Sequence, residues 1–374
     1  MSKKAVVIGA GIAGLAMARA LAKKKYAVTV VDRDGVATGA SIRNFGMVWP
    51  IGQPDGFLYE TALQSRDAWK EISNTGACWS EAAGSMHLAY APDEWQVLQE
   101  LAAVFTPNRP VRLLTPGAVA LRSPFVVQHG LLGALYSEDE LIVNPRQAIR
   151  AIPAYLAEQY GVTFKWRCAA TEVNGNRVVT GNGESLDADL VIICSGADLE
   201  ALFPSEYNQI PVTKCQLQMM RLRAPVMEKR MGPALCGALS LAHYNSFKQA
   251  PSLPALRNRF NTEMQEYIAS GIHVMVAQNE AGELTVGDSH EYGLHPEPFN
   301  QQNINELILN YLARFAGFPG YSVAETWTGV YTKLTNGEPW VFLSPQPGVY
   351  LFNGLGGAGM TLSFGAAEKE LFKI

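Results

Sequence analysis

The sequence predicts a mixed α/β fold in which a nucleotide-binding core is interrupted by a second, α+β unit built on an antiparallel sheet. Three observations predict it. A strand running directly into glycines and then a helix opens the chain, a second strand, glycine and helix junction closes it, and the long middle alternates apolar and polar residues as antiparallel strands do.

The opening junction comes first. Ala5-Val6-Val7-Ile8 reads as a short buried strand, and Gly9-Ala10-Gly11-Ile12-Ala13-Gly14 follows at once. In this G-x-G-x-x-G pattern the first glycine permits a tight turn, the second admits a pyrophosphate to the backbone, and the third lets the following helix pack closely. Residues 15–22 supply that helix, whose N-terminal N–H groups and positive dipole end face the phosphates. A second β-branched strand, residues 27–31, ends at Asp32, where a carboxylate accepts hydrogen bonds from a ribose 2′-hydroxyl and repels a 2′-phosphate. The ligand is therefore NAD-like or FAD-like rather than NADP. Lys3-Lys4 and the apolar run to Ala22 also imitate a secretory leader, but such a leader has no use for three glycines at this spacing followed by a strand ending in Asp.

Composition bounds the rest. A chain of 374 residues, 48% hydrophobic and 17% charged, buries a sizeable core, and its formal charge of −4 argues against nucleic-acid or anionic-membrane partners. Outside the first strand and helix no stretch is apolar enough to span a bilayer. The five cysteines form no C-x-x-C pair and no metal-ligand spacing, which fits reduced thiols in a cytoplasmic compartment.

After Asp32 comes an irregular, Gly-bearing stretch, residues 35–47, of the kind that carries function. Helices are expected over 59–73 and 94–105, and prolines break any long element between 106 and 123. A helix entered at Pro145 runs to Tyr160 and is capped by Gly161. Residues 162–173, 177–180 and 185–194 read as three strands joined by two Gly-Asn turns, the last an apolar run stopped by Ser195-Gly196-Ala197. Residues 216–223, 235–244, 273–280 and 283–288 alternate like antiparallel strands, with one helix at 301–315. Residues 348–352 form a buried strand entering the closing glycines, and 361–372 the final helix. The expected division is a discontinuous nucleotide-binding domain (1–80, 142–212 and 336–374) and a substrate domain (81–141 and 213–335).

Two Gly-rich junctions at the termini, with a β-meander and the turn Cys194-Ser195-Gly196-Ala197 between them, resemble the D-amino acid oxidase (DAO) superfamily of FAD-dependent amine oxidoreductases along the whole chain. The resemblance implies a Rossmann-like FAD-binding domain with a substrate domain like that of glycine oxidase and sarcosine oxidase. It implies non-covalent FAD, held by Gly9, Gly11, Ile12, Ala13, Gly14, Asp32 and Arg33, by Val173 through its backbone at the adenine, and by Ser195 and Gly196. The loop Ser41, Arg43, Asn44, Gly46 and Met47 lies beside the ring, as does the segment Gly354, Leu355, Gly356, Gly357, Ala358, Gly359, Met360 and Thr361.

The sequence also departs from that family. Where glycine-oxidase-like relatives carry an arginine for the substrate carboxylate, this chain has Tyr331; where sarcosine-oxidase-like relatives carry a loop lysine and a flavin-linking cysteine, it has Thr361 and Gly329. Residues 43–50, 287–292 and 327–331 resemble a subgroup proposed to act on aminophosphonates related to 2-aminoethylphosphonate, whose substrates lack the α-carboxylate that the arginine grips.

The expectation is oxidative deamination of a small primary or secondary amine, with O2 or another electron acceptor; an amino-acid oxidase or dehydrogenase, and a non-catalytic flavoprotein scaffold, are the alternatives. Arg43, His290, Tyr331 and Lys333 are the candidate catalytic residues, weighed against a strand-end cap for His290, a core aromatic for Tyr331 and a solvated loop charge for Lys333. His290-Glu291 with His295 misses the H-E-x-x-H spacing, because Leu294 stands at the second histidine position, so no metal is expected.

Overall fold

The computed structural model of the protein describes residues 2–224 and 230–374. Lys4–Ile8 lies between Leu190–Ile193 and Ala27–Val31, and all three run parallel, as residues apolar on both faces require. Thr163–Lys165 extends this sheet on one side, Val349–Asn353 and the antiparallel Val341–Gln346 on the other, giving six strands. The helix Ile12–Lys23 is apolar nearly all round and is buried against the closing helix Gly359–Glu370, which also packs on Phe57–Asn74. The two ends of the chain therefore meet over one sheet.

A nine-stranded sheet forms the second layer. Its backbone is Val212–Arg223, paired antiparallel over its whole length with Ser322–Leu334, so that Cys215 faces Tyr331 and Val212 faces Leu334. Leu284–Gly287, Met275–Gln278, Ala234–Cys236, Ser85–Ala89, Gly133–Ser137 and Val111–Leu114 continue it outward. The pairing of Ala234–Cys236 with Ser85–Ala89 is parallel, so the sheet is mixed rather than wholly antiparallel.

Three expectations need correction. The single strands expected over 162–173 and 185–194 are each two, Thr163–Lys165 with Ala170–Asn174 and Ser185–Asp187 with Leu190–Ile193. The cause is sheet switching: at Arg167 and Cys168 the chain hydrogen-bonds back to Asp34 and Asp32, and at Ala188 and Asp189 it leaves Asn176 for Lys4. The strand expected over 235–244 ends at Cys236, where Gly237 turns the chain into the 3-10 turns Ala238–Ala242 and Asn245–Gln249. The helix Leu253–Glu263, absent from the sequence reading, buries only Leu253, Leu256 and Phe260, a stripe thin enough to pass for a polar loop.

Candidate functional site

The N-terminal turn is fixed by sterics. Gly9 has φ +102°, and a Cβ there would lie 2.3 Å from the Cys194 carbonyl oxygen; a Cβ on Gly14 would lie 1.8 Å from the Gly9 oxygen. No other residue fits at either position. Gly11 caps the helix Ile12–Lys23, whose first turn has no acidic residue and no side chain capping it from Gly11. Ser41 Oγ accepts the Ile12 N–H at 2.9 Å, and the remaining positive helix end is open to an anion. Asp32 fastens the turn from below, accepting the Ala10 N–H at 2.7 Å and the Asp34 N–H at 2.9 Å, while Arg33 pairs with Asp198 at 2.7 Å.

From this turn a cavity of about 1260 Å³ runs between the two sheets. Gly9, Gly11, Ile12, Ala13, Asp32, Arg33, Ser41, Arg43, Asn44, Met47, Ser195, Gly196 and every residue from Gly354 to Thr361 line it. The space is therefore continuous along both terminal glycine segments. Gly14 and Gly46 lie just behind the lining, each packed against backbone that a side chain would strike. Val173 sits in the small sheet opposite Val178, and it is Cys168, Ala169, Ala170 and Thr171 that reach the cavity wall there.

Asn353, which the sequence reading passed over, orders this wall. Its Nδ2 donates to the Gly196 carbonyl at 2.9 Å and the Tyr207 hydroxyl at 3.0 Å, and its Oδ1 accepts the Gly354 N–H at 2.8 Å. Thr332 Oγ1 donates to the same Gly196 carbonyl at 2.8 Å, tying the long strand Ser322–Leu334 to the glycine turn. Thr361 Oγ1 accepts the Trp49 N–H at 2.9 Å and so joins the closing glycine segment to the loop after Asp32.

The two glycine segments, the open helix end and the long cavity between them fit a flavin dinucleotide. Residues 4–369 match the family model described as DAO, FAD dependent oxidoreductase. The chain belongs to this family of FAD-dependent oxidoreductases. It is 24% identical over 301 residues to the tRNA 5-methylaminomethyl-2-thiouridine biosynthesis bifunctional protein MnmC of Stutzerimonas stutzeri (strain A1501), covering 72% of this chain and 42% of that protein. The chain thus spans less than half the length of that curated relative. Among solved structures, glycine oxidase from Geobacillus kaustophilus superposes with a TM-score of 0.78 at 19% identity, covering 100% of this chain and 95% of that one. L-proline dehydrogenase from P. horikoshii gives a TM-score of 0.78 at 18% identity, covering 99% and 93%. These likenesses fix the α/β fold.

At the far end of the cavity the four candidate catalytic residues are distributed unevenly. Tyr331 points its hydroxyl at the closing glycines, where a Cβ on Gly357 would lie 3.3 Å from it. Burial, reinforced by Cys215, pushes that hydroxyl well above its usual pKa. Lys333 bridges to Leu355 through its backbone and holds its ammonium 5.2 Å from the centre of the Tyr292 ring. Arg43 is exposed at the rim, its Nη1 donating to the Thr328 carbonyl at 3.2 Å.

His290 is buried, and its Nδ1 lies 3.0 Å from the Gly271 carbonyl oxygen. Burial lowers its pKa, opposed by Asp288, so the imidazole is neutral at pH 7. Two further histidines stand beside it. His273 lies with its ring centroid 4.9 Å from that of His290, and His243 lies 3.8 Å from His273. His243 lines the cavity with its ring exposed, and desolvation by the surrounding protein, with the neighbouring histidines, holds its pKa well below the usual value. Neither His243 nor His273 carried a sequence signal, since they lie on separate segments with no motif spacing.

Proposed function

We propose that this protein oxidises a small primary or secondary amine whose other end carries an anionic group, with an aminophosphonate related to 2-aminoethylphosphonate as the substrate class and an imine, hydrolysed to an aldehyde or keto product, as the outcome. FAD, when bound, accepts the hydride from the amine-bearing carbon. The observation that carries the reading is the makeup of the cavity's far end. Tyr331 stands where the resemblance to glycine-oxidase-like relatives expects the carboxylate-binding arginine, and Lys333, Tyr292 and three histidines line the same cavity. The bidentate partner for an α-carboxylate beside the closing glycines is thereby gone, while Arg43 at the rim offers a planar fork to a substrate whose oxyanion lies farther from the amine. Arg43 serves at the rim, and His290, Tyr331 and Lys333 help hold the substrate's charged end. The bond from Thr332 to Gly196 keeps their strand against the glycine turn, so substrate and ring positions are set by one rigid wall.

Anaerobic mixing tests the reading. The flavin-loaded protein should lose its visible absorbance with 2-aminoethylphosphonate at a kcat/KM well above that for glycine, sarcosine or propylamine. A preference for glycine or sarcosine would replace it with the amino-acid oxidase reading, and no bleaching by any amine with the scaffold reading. Arg43→Lys should lower kcat/KM for the phosphonate by about tenfold to a hundredfold and spare propylamine, because lysine offers one point charge where arginine offers a planar fork.

A further inference from the structure

Three imidazoles converge at the cavity floor although no sequence spacing announced them. His243 follows the 3-10 turn Ala238–Ala242, His273 pairs its backbone with Asp288, and His290 hydrogen-bonds through its N–H to the Ser270 carbonyl. One nitrogen from each ring lies within 4.8 Å of the others. Their bonding is incomplete. Both ring nitrogens of His273 and Oδ1 of Asp288 are buried and lack a hydrogen-bond partner among the described residues, although His273 Nδ1 and Asp288 Oδ1 are 3.0 Å apart, out of line for a bond.

The tautomer of His290 sharpens the point. Because Nδ1 faces the Gly271 carbonyl, the proton sits on Nδ1 and the lone pair on Nε2, which looks toward the Asp288 carboxylate at 3.9 Å. A lone pair, a carboxylate and an imidazole without partners, held together in a buried place, call for a donor or a cation between them.

We infer that His243, His273 and His290 form a site for a divalent transition metal of the zinc class, with Asp288 as the outer carboxylate and one coordination position open to the cavity. Neutral imidazoles suit zinc, and three of them with an open fourth position are a recurrent arrangement. A carboxylate behind a ligating histidine orients the ring and raises its basicity. Bond lengths of about 2.0–2.1 Å require ligand nitrogens roughly 3.4 Å apart, so on loading the rings turn and the nitrogens, now within 4.8 Å of one another, close by up to about 1.4 Å. The site stands on its own geometry. That the open position takes the substrate's oxyanion, in place of the missing arginine, rests on the function proposed above.

Equilibrium dialysis of the flavin-loaded, chelator-treated protein against Zn2+, read by elemental analysis, tests the site without turnover. One zinc per chain at a Kd on the order of 1 μM or tighter is expected, weakened about tenfold to a hundredfold by Asp288→Asn and at least as much by His243→Ala. His243→Gln is the second variant should the alanine form fail to keep its flavin and its melting temperature. Binding far below one zinc per chain, or equal affinity in a folded His243 variant, overturns the site and leaves ordered water as the partner of these atoms. Inorganic phosphate, titrated with and without zinc, tests the open position: zinc should tighten it at least about tenfold. Unchanged phosphate affinity with zinc bound overturns the substrate role alone, whereas failure of every amine to bleach the flavin would overturn the proposed function and leave the zinc result standing.

Discussion

At the residue scale, Gly14 shows how little freedom the first glycine turn has. It makes no contact with the cavity, yet an added methyl would sit 1.8 Å from the Gly9 oxygen and 2.9 Å from its carbonyl carbon, both rigid backbone. Gly14→Ala must therefore push the helix Ile12–Lys23 off the turn and withdraw the helix end from the pyrophosphate. Overpacking of this kind costs roughly 1–3 kcal/mol. The expected outcome is protein that purifies with several-fold less flavin, read from its ratio of visible to ultraviolet absorbance, and melts earlier. Full flavin content would mean that the helix end does not hold the cofactor.

At the scale of elements, the loop between Trp49 and Asp55 forms one cavity edge through Gly52, Gln53 and Pro54, and a single buried cation shapes it. Arg109 donates to the carbonyls of Ile51 (3.2 Å) and Gln53 (2.7 Å) and to Asp55 Oδ1 (2.8 Å), with its guanidinium between the rings of Tyr59 and Phe105 at 4.1 and 4.2 Å. Lysine cannot reach three acceptors in a plane or stack between two rings. Arg109→Lys should cost about 1–3 kcal/mol in denaturant unfolding, and should raise KM for the amine with little change in kcat, since the loop shapes the cavity without touching the reacting carbon. A variant as stable as the parent would show that the loop holds its shape unaided.

For the whole molecule, the junction of the two layers runs through Glu140, a fully buried carboxyl. It accepts the Ile51 N–H and the Ser85 hydroxyl, each at 3.0 Å, and so links the cavity loop to the large sheet. Burial, opposed by these hydrogen bonds and that of Ser137, raises its pKa from 4.5 to about 7. Between those values the folded chain binds a proton that the unfolded chain has released. The contribution of Glu140 is thus complete below pH 4.5, declines as pH rises toward 7 and is flat above, a loss on the order of 3 kcal/mol. Glu140→Gln, whose oxygen accepts the Ile51 N–H while its NH2 donates to the Ser85 hydroxyl, cannot ionise; it should flatten the stability profile between pH 5 and 7 and leave the variant the more stable form at pH 8. A parent and variant with parallel profiles would place the titration elsewhere.

The glycine-lined wall of the cavity was legible in the sequence because its constraints are local. Gly9, Gly11 and Gly14, the strand end at Asp32, and the run from Gly354 to Thr361 are contiguous pieces whose shape is dictated by backbone sterics, and a short glycine pattern transmits that shape without help from distant residues. Tyr331 and Lys333 were singled out through the family resemblance, whereas the strand Ser322–Leu334 that sets them beside the closing glycines was not read from the sequence. Sheet switching at Arg167 and Ala188 was not legible, since the alternation of apolar and polar residues continued through each break and only pairing partners far along the chain decided where it bent. Least legible was the histidine cluster. His243, His273 and His290 lie on three segments with nothing local to relate them. The backbone pairing of His273 with Asp288, and a chain that turned at Gly237 where a strand was expected, brought the rings together. Local sterics can be written in neighbouring residues; convergence of side chains from separate segments exists only once long-range pairing has chosen a register.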